Sequence, residues 1–256
     1  MIVGFNEAKL LPACFQSIDF CNDIHYTDLG STDDSLKVAG QYAQHIYKKS
    51  KVPFCEKIQS EVVHCTKNDW LVFIDPDEVV DESLSAEIIQ RFNELTSQPD
   101  VGAIVVPWAF YFKKTKLRGT VWGGLNHKFL LVNKNRFAFE PIAHYGRKLK
   151  PGFHSINIAP NIHESNVLHH YWMSSWKVFI GKHRRYLVNE GVDRYNLGER
   201  TTLKKVMQAP YYEFKRSFWT KKGFKDGFLG FFLSLFWAWY QTSAMLSLYK
   251  IQGKML

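Results

Sequence analysis

Along the first hundred residues, short continuous apolar runs alternate with apolar stripes three or four positions apart, the periods of a buried strand and of an amphipathic helix. Met1–Phe5 is such a run, and from Asn6-Glu7 a helical stripe continues through Leu10, Leu11, Cys14, Phe15 and Ile18. The pattern repeats with a strand over Ile24–Asp28, a helix over Asp34–Ala43, a short strand over His45–Lys48, a helix over Glu56–Thr66 and a fully apolar strand over Trp70–Ile74. Alternation of this kind predicts an α/β domain with a mostly parallel sheet covered by helices, whose ligands gather at the carboxyl ends of the strands.

A helix near Ser83–Leu95 ends in the breaker Ser97-Gln98-Pro99-Asp100, and strands are predicted over Ala103–Phe112, Val121–Trp122 and Lys128–Val132. Residues 136–170 read as irregular, rich in aromatics, His and Gly. From Met173 to about Val188 a helical stripe returns through Trp176, Phe179, Ile180, His183 and Leu187. Gly227–Tyr249 is 23 residues without a formal charge, long enough at about 1.5 Å per residue for a bilayer core of about 30 Å. Ser234, Gln241, Thr242, Ser243 and Ser247 interrupt it. It therefore spans a bilayer, lies in its plane, or packs on the sheet as a core helix. Three segments follow: residues 1–135, residues 136–214, and a basic, apolar tail over 215–256, of which the family resemblance given below implies that the first is a nucleotide-binding half and the second an acceptor-side half.

Charge sharpens this division. Residues 1–100 carry 8 Lys+Arg and 17 Asp+Glu, a net −9, and the remainder is +18. An acidic front suits a site that gathers a divalent cation, and a basic back suits an anionic partner such as lipid headgroups, phosphate or nucleic acid. Seven basic groups and one acid in the last 42 residues, beside an aromatic-rich run, fit the cytoplasmic face of a membrane. With the basic charge beside the apolar tail and no nucleic-acid motif, nucleic acid is not an expected partner. Cys14, Cys21, Cys55 and Cys65 lack zinc-type pairing and are too few for a disulfide framework, so reduced thiols are expected. With no secretory signal pattern before the first strand, the catalytic part is expected to be cytoplasmic.

Two polar clusters carry the chemistry. Asp75-Pro76-Asp77-Glu78 leaves the apolar strand Trp70–Ile74, so its acids emerge at a strand's carboxyl end. A pyrophosphate brought there adds negative charge, which a cation such as Mg2+ or Mn2+ can bridge. Alternate side chains of an extended Asp-x-Asp point to opposite sides, so one acid can face the metal and the other a ribose. The second cluster, TDLGSTDDS at 27–35, closes a strand and opens a helix. Gly30 permits the turn, Ser31, Thr32 and Asp33 offer capping oxygens, and Asp28 can accept a hydrogen bond from a nucleotide base.

NEAKLLPACFQSI, TDLGSTDDS and NDWLVFIDPDE, in that order, resemble the family 2 glycosyltransferases of GT-A fold, close to bacterial enzymes that build lipopolysaccharide core and other cell-surface glycans. LHHYWMSSWKVFIGKHRRYL at 168–187 and the tail DGFLGFFLSLFWAWY extend the similarity. The resemblance implies a nucleotide-sugar donor, a divalent metal (Mn2+ or Mg2+), and a glycan or glycolipid acceptor at the inner membrane surface, reached through residues 227–249. It implies that Asn6 and Glu7 border the nucleotide pocket with Ser31 and Asp33, that Asp28 meets the base, and that Asp75 lies by the ribose. Asp77 would ligate the metal, Lys57 and Gln59 would lie near the donor, and His170 would complete the metal shell. The chain departs from the family at Lys128, where Arg is common, and at His144-Tyr145, where a His-Glu pair is common.

Inverting transfer needs a base for the acceptor hydroxyl, a carboxylate or a neutral imidazole. Carboxylates are scarce after residue 100, and Glu140, with His144 behind it, lies nearest the expected acceptor loop. Two other readings compete. A nucleotidyltransferase would carry a Gly-rich loop with Lys or Arg near the front, which Met1–Leu10 lacks; a membrane-anchored binding protein with a decayed pocket would not keep Asp28, Asp75 and Asp77.

Overall fold

A computed structural model describes residues 1–49, 55–139, 147–161 and 165–255. The chain forms two compact units, Met1–Trp108 with His127–His170, and Ala109–Asn126 with Tyr171–Leu256.

In the first unit, three parallel strands stand side by side: β1 (Ile2–Gly4), β2 (His25–Asp28) and β3 (His45–Lys48), with Gly4 paired to Asp28 and Asp28 to Lys48. Helices α1 (Leu11–Gln16) and α2 (Ser35–Ala39) connect them, and α3 (Cys55–Val62) follows. The apolar stripe read from the sequence is the buried face of α1: Leu11, Cys14 and Phe15 pack with Ile2, Tyr26 and Ile74. β4 (Trp70–Val72) runs beside β1, where the N–H of Ile74 donates to Met1 O (3.3 Å).

The rest of the sheet is mixed, a correction to the mostly parallel expectation. β4 pairs antiparallel with β8 (Leu125–Asn133), and β5 (Glu78–Val80) pairs antiparallel with β12 (Leu168–Met173). The strand order is β4, β8, β6 (Val101–Phe112), β12, β5, with β7 (Thr115–Lys116) antiparallel and β11 (His154–Asn157) parallel to β6. β9 (Phe137–Phe139) and β10 (Arg147–Leu149) form a separate antiparallel pair. Residues 136–170, expected to be irregular, thus supply four strands. Helix α4 (Glu82–Glu94) starts at Asp81, whose carboxylate accepts from the Ser83 N–H, and buries Leu84 and Ile88.

In the second unit, three helices pack together: α5 (Trp176–Asn196), α6 (Leu203–Lys215) and α7 (Gly227–Met255). Ser175 and Thr202 cap the first two by accepting from Val178 and Lys205 N–H groups. The Val121–Trp122 strand does not form. Those residues lie in a turn, and the Trp122 ring joins Trp172, Phe179, His183 and Trp237 in an aromatic cluster. Asp226 fixes that turn's approach by accepting from the Arg118 and Gly119 N–H groups (2.7 and 2.8 Å).

Among the described residues no helix is long and apolar enough to cross a membrane, which corrects the spanning alternative for 227–249. One face of α7 is buried, with Leu233, Ala244 and Leu248, but it packs against α5 and α6 rather than on the sheet. The polar residues that interrupted the run make contacts between helices: Ser234 with Ser217 (2.9 Å), and Gln241 accepting from Arg194 (2.9 Å). Tyr240 donates to Glu190 (2.9 Å) and Trp237 to Glu213 (2.7 Å). Gly191 of α5 sits so close to α7 that a Cβ would lie 2.4 Å from Ser247 Oγ and 2.9 Å from the Leu248 nitrogen.

Candidate active site

The first unit places its acidic turn where β1 and β2 end. Gly4 is closely packed: a Cβ there would stand 2.7 Å from the Tyr26 hydroxyl and 3.3 Å from Pro76 Cγ. The Cys14 thiol donates to Asp75 O (3.4 Å), and Phe73 and Ile74 anchor the approach in the core. After the turn, β5 pairs with β12 so that His170 stands opposite Glu78.

The turn's acids divide their partners. Lys128, on β8 and 6% exposed, donates to Asp75 Oδ2 at 2.9 Å and to the fully buried Glu78 Oε2 at 2.5 Å. Its ammonium also lies 5.2 Å from the Trp108 ring centre, a cation–π contact. Asp77 points elsewhere, with Oδ2 3.2 Å from His170 Nε2, and the His170 ring stacks on Trp108 at 4.9 Å and 7°. Burial works against ionising Asp75, but the Lys128 ammonium, aided by its hydrogen bond and by Arg147, outweighs it and holds the carboxyl well below the usual range. For Glu78 burial dominates and pushes the carboxyl up despite Lys128. Burial disfavours the Lys128 ammonium, and Asp75 and Glu78 more than offset it, so its pKa rises.

Three carboxylates against the Lys128 ammonium, with Arg147 near enough to act on Asp75, leave the turn net negative, a charge that a divalent cation would offset. The donor atoms fit such an ion: two ligands at about 2.1 Å and a right angle stand about 3 Å apart, close to the Asp77–His170 separation. A carboxylate with an imidazole suits Mn2+, while Mg2+ favours the oxygens.

The βα loops beside the turn are clamped together. Asn6, at φ 57°, accepts from the Thr32 N–H through Oδ1 (2.7 Å), and its own N–H donates to Ser31 Oγ (2.9 Å). The Glu7 N–H donates to Ser35 Oγ (2.8 Å) and the Ala8 N–H to Asp33 Oδ2 (3.1 Å). The Ser35 hydroxyl, donating to Asp33, lowers that carboxyl's pKa. Side chains read as ligand-facing at Asn6, Ser31 and Asp33 therefore hydrogen-bond neighbouring loop groups. Asp28 Oδ2 accepts from the Gly30 and Ser31 N–H groups (both 2.9 Å), while its Oδ1 is buried with no hydrogen-bond partner among the described residues. A buried acceptor left unpaired costs about 1–3 kcal/mol, so it is a position where a ligand N–H would be favoured.

Of the remaining expected residues, Lys57 is exposed on α3 and Gln59, two positions on and so on the opposite side of the helix, is buried. Glu140 and His144 lie outside the described residues. His169-His170, expected before a helix, lie on β12, and His169 Nε2 is 3.4 Å from Asp81. In the sequence Lys128 stands out only as a departure from the family pattern, and its tie to two acids emerges from the structure. Its place directly before the apolar run Phe129–Val132 was the available signal.

No protein-family model matches the chain. Among solved structures, a mannosyltransferase from Pyrobaculum calidifontis in complex with GDP-Man and Mn2+ is 16% identical over 40% of this chain and 33% of its own, with a TM-score of 0.36. Glucosyl-3-phosphoglycerate synthase from Mycobacterium tuberculosis, in complex with Mg2+ and uridine diphosphate, is 17% identical over 43% of this chain and 42% of its own, with a TM-score of 0.34. S. aureus TarS is 12% identical over 89% of this chain and 45% of its own, with a TM-score of 0.40. The matches span less than half the length of those proteins. Scores below 0.5 do not establish a common fold, so the functional case rests on the site itself.

Proposed function

We propose that the chain is a glycosyltransferase of GT-A architecture, family 2, that moves a sugar from a nucleoside diphosphate donor, UDP-linked first, to a glycan or lipid-linked acceptor of the cell envelope. The observation that carries this reading is the acidic turn: Lys128 engages Asp75 and Glu78, and Asp77 faces His170. In this reading Asp77 and His170 hold Mn2+ or Mg2+, Asp75 faces the ribose, and Asp28 Oδ1 accepts from a base N–H. Held by Asp77 and His170, such a cation would supply positive charge to stabilise the departing diphosphate. The acceptor oxygen bonds to the anomeric carbon as the bond to the diphosphate oxygen breaks, inverting the centre. Glu140, backed by His144, takes the hydroxyl proton.

Membrane association belongs to the same proposal, as peripheral contact at the cytoplasmic face. It is supported by the exposed Tyr211, Tyr212, Trp219 and Phe228, in a segment that also carries Lys215, Arg216, Lys221 and Lys222. The test of activity is release of nucleoside diphosphate from a panel of sugar nucleotides with and without Mn2+. Release should require the metal and fall at least about 100-fold in Asp77→Ala, a loss typical of a removed group in charge-stabilising catalysis. Metal-independent release, or full activity in that variant, would refute the proposal.

A further inference from the structure

A second cluster of ligand atoms lies on the strands β2 and β3, away from the acidic turn's residues. His25 and His45 are register partners on these parallel strands, and their rings stack at 4.3 Å. Asp23, just before β2, places Oδ1 3.1 Å from His25 Nε2 and 3.2 Å from His45 Nε2. Among the described residues this is the one group of three or more His, Cys, Asp or Glu side chains whose ligand atoms all lie within 4.8 Å of one another. From these contacts we infer a second metal site: Asp23, His25 and His45 bind a late first-row divalent cation, zinc foremost.

The two imidazole–carboxylate separations fit. Ligands on a tetrahedral zinc, with bonds of about 2.0–2.1 Å, stand about 3.3 Å apart. The partners behind the ligands fit as well. His25 Nδ1 is 3.1 Å from the Tyr47 hydroxyl, which can fix the tautomer that leaves Nε2 a lone pair, and Asn68 Nδ2 donates to Asp23 Oδ2 at 2.8 Å. Imidazole nitrogens with a single carboxylate select zinc and its neighbours over Mg2+. Without an ion, two imidazole nitrogens face one carboxylate oxygen and each needs its own proton there. A single cation satisfies all three atoms. His25 is buried and His45 is 46% exposed in its side chain, so the ion would enter from solvent and keep an outward coordination position. Bound there, it would fasten the edge strand β3 to β2 and to the Asp23 loop.

The test uses the full chain carrying Asp77→Ala, so that the acidic turn is not counted, stripped with chelator and titrated with zinc chloride by calorimetry. One equivalent should bind and raise the melting temperature. Added His45→Ala, a change at a half-exposed edge position, should weaken binding about 100-fold and remove the thermal shift while circular dichroism stays unchanged. Tyr47→Phe should weaken it about tenfold, the scale of a lost supporting hydrogen bond. Binding of less than one equivalent, or equal affinity with and without His45, would overturn the inference and leave a metal-free His–Asp–His hydrogen-bonded clamp.

Discussion

Lys128 is the residue on which the acidic turn depends. Its ammonium is buried with Glu78, so removing it strands a charge: Lys128→Met should cost about 3–5 kcal/mol, read as a lower urea midpoint. Adding Glu78→Gln should recover part of that loss, because the orphaned charge goes too. A second residue-scale effect is a pH dependence. Burial in the aromatic cluster lowers the His183 pKa, so the unfolded chain takes up the proton more readily. Its contribution to stability is therefore complete above about pH 6.5 and declines as pH falls from there toward the folded pKa, by at most about 1.4 kcal/mol per pH unit. His183→Gln should flatten the fall in urea midpoint between pH 7 and 5; an unchanged slope would assign it to other groups. Asp28, Asp75 and Asp77 were legible in the sequence because each stands at or just past an apolar run. Lys128 was not, because its partners lie 50 and 53 residues away and a lone lysine on a strand looks solvent-facing.

At the scale of elements, the front strands and helices follow their periodicity closely, and the misreadings share a cause. β12 contains Leu168-His169-His170-Tyr171, where polar imidazoles break the apolar run although His170 is buried against Trp108. Trp122 looked like a strand residue because aromatics favour strands, but its ring is placed by tertiary packing in a turn. The α5–α7 crossing is specified by an absence, the missing side chain at Gly191. Gly191→Leu should force the helices apart and cost about 1–3 kcal/mol, with greater exposure of Trp237 seen as a red shift in fluorescence. An unchanged melting temperature and spectrum would show that the crossing has slack.

For the molecule as a whole, the uncharged run 227–249 was legible as one helix, but its setting was not, because a packed helix and a membrane helix share composition. Since α7 buries Leu233, Ala244 and Leu248, deleting 227–256 would dismantle the second unit and could not report on lipid. The informative variant alters exposed positions only. Trp219, 60% exposed, and Phe228, 77% exposed, replaced together by Ala, should leave the melting temperature unchanged and reduce co-sedimentation with anionic phosphatidylserine vesicles several-fold. Equal binding would remove the support for membrane association.

The contact between Gly4 and Pro76 bears on how substrate preference could be re-engineered. A side chain at Gly4 would meet the Tyr26 hydroxyl at 2.7 Å before the Pro76 ring at 3.3 Å, so it would have to displace Tyr26 and press on the acidic turn. Libraries seeking a different sugar nucleotide should hold both positions fixed and diversify the surrounding loops, where a changed side chain reshapes the cleft without prying its walls apart.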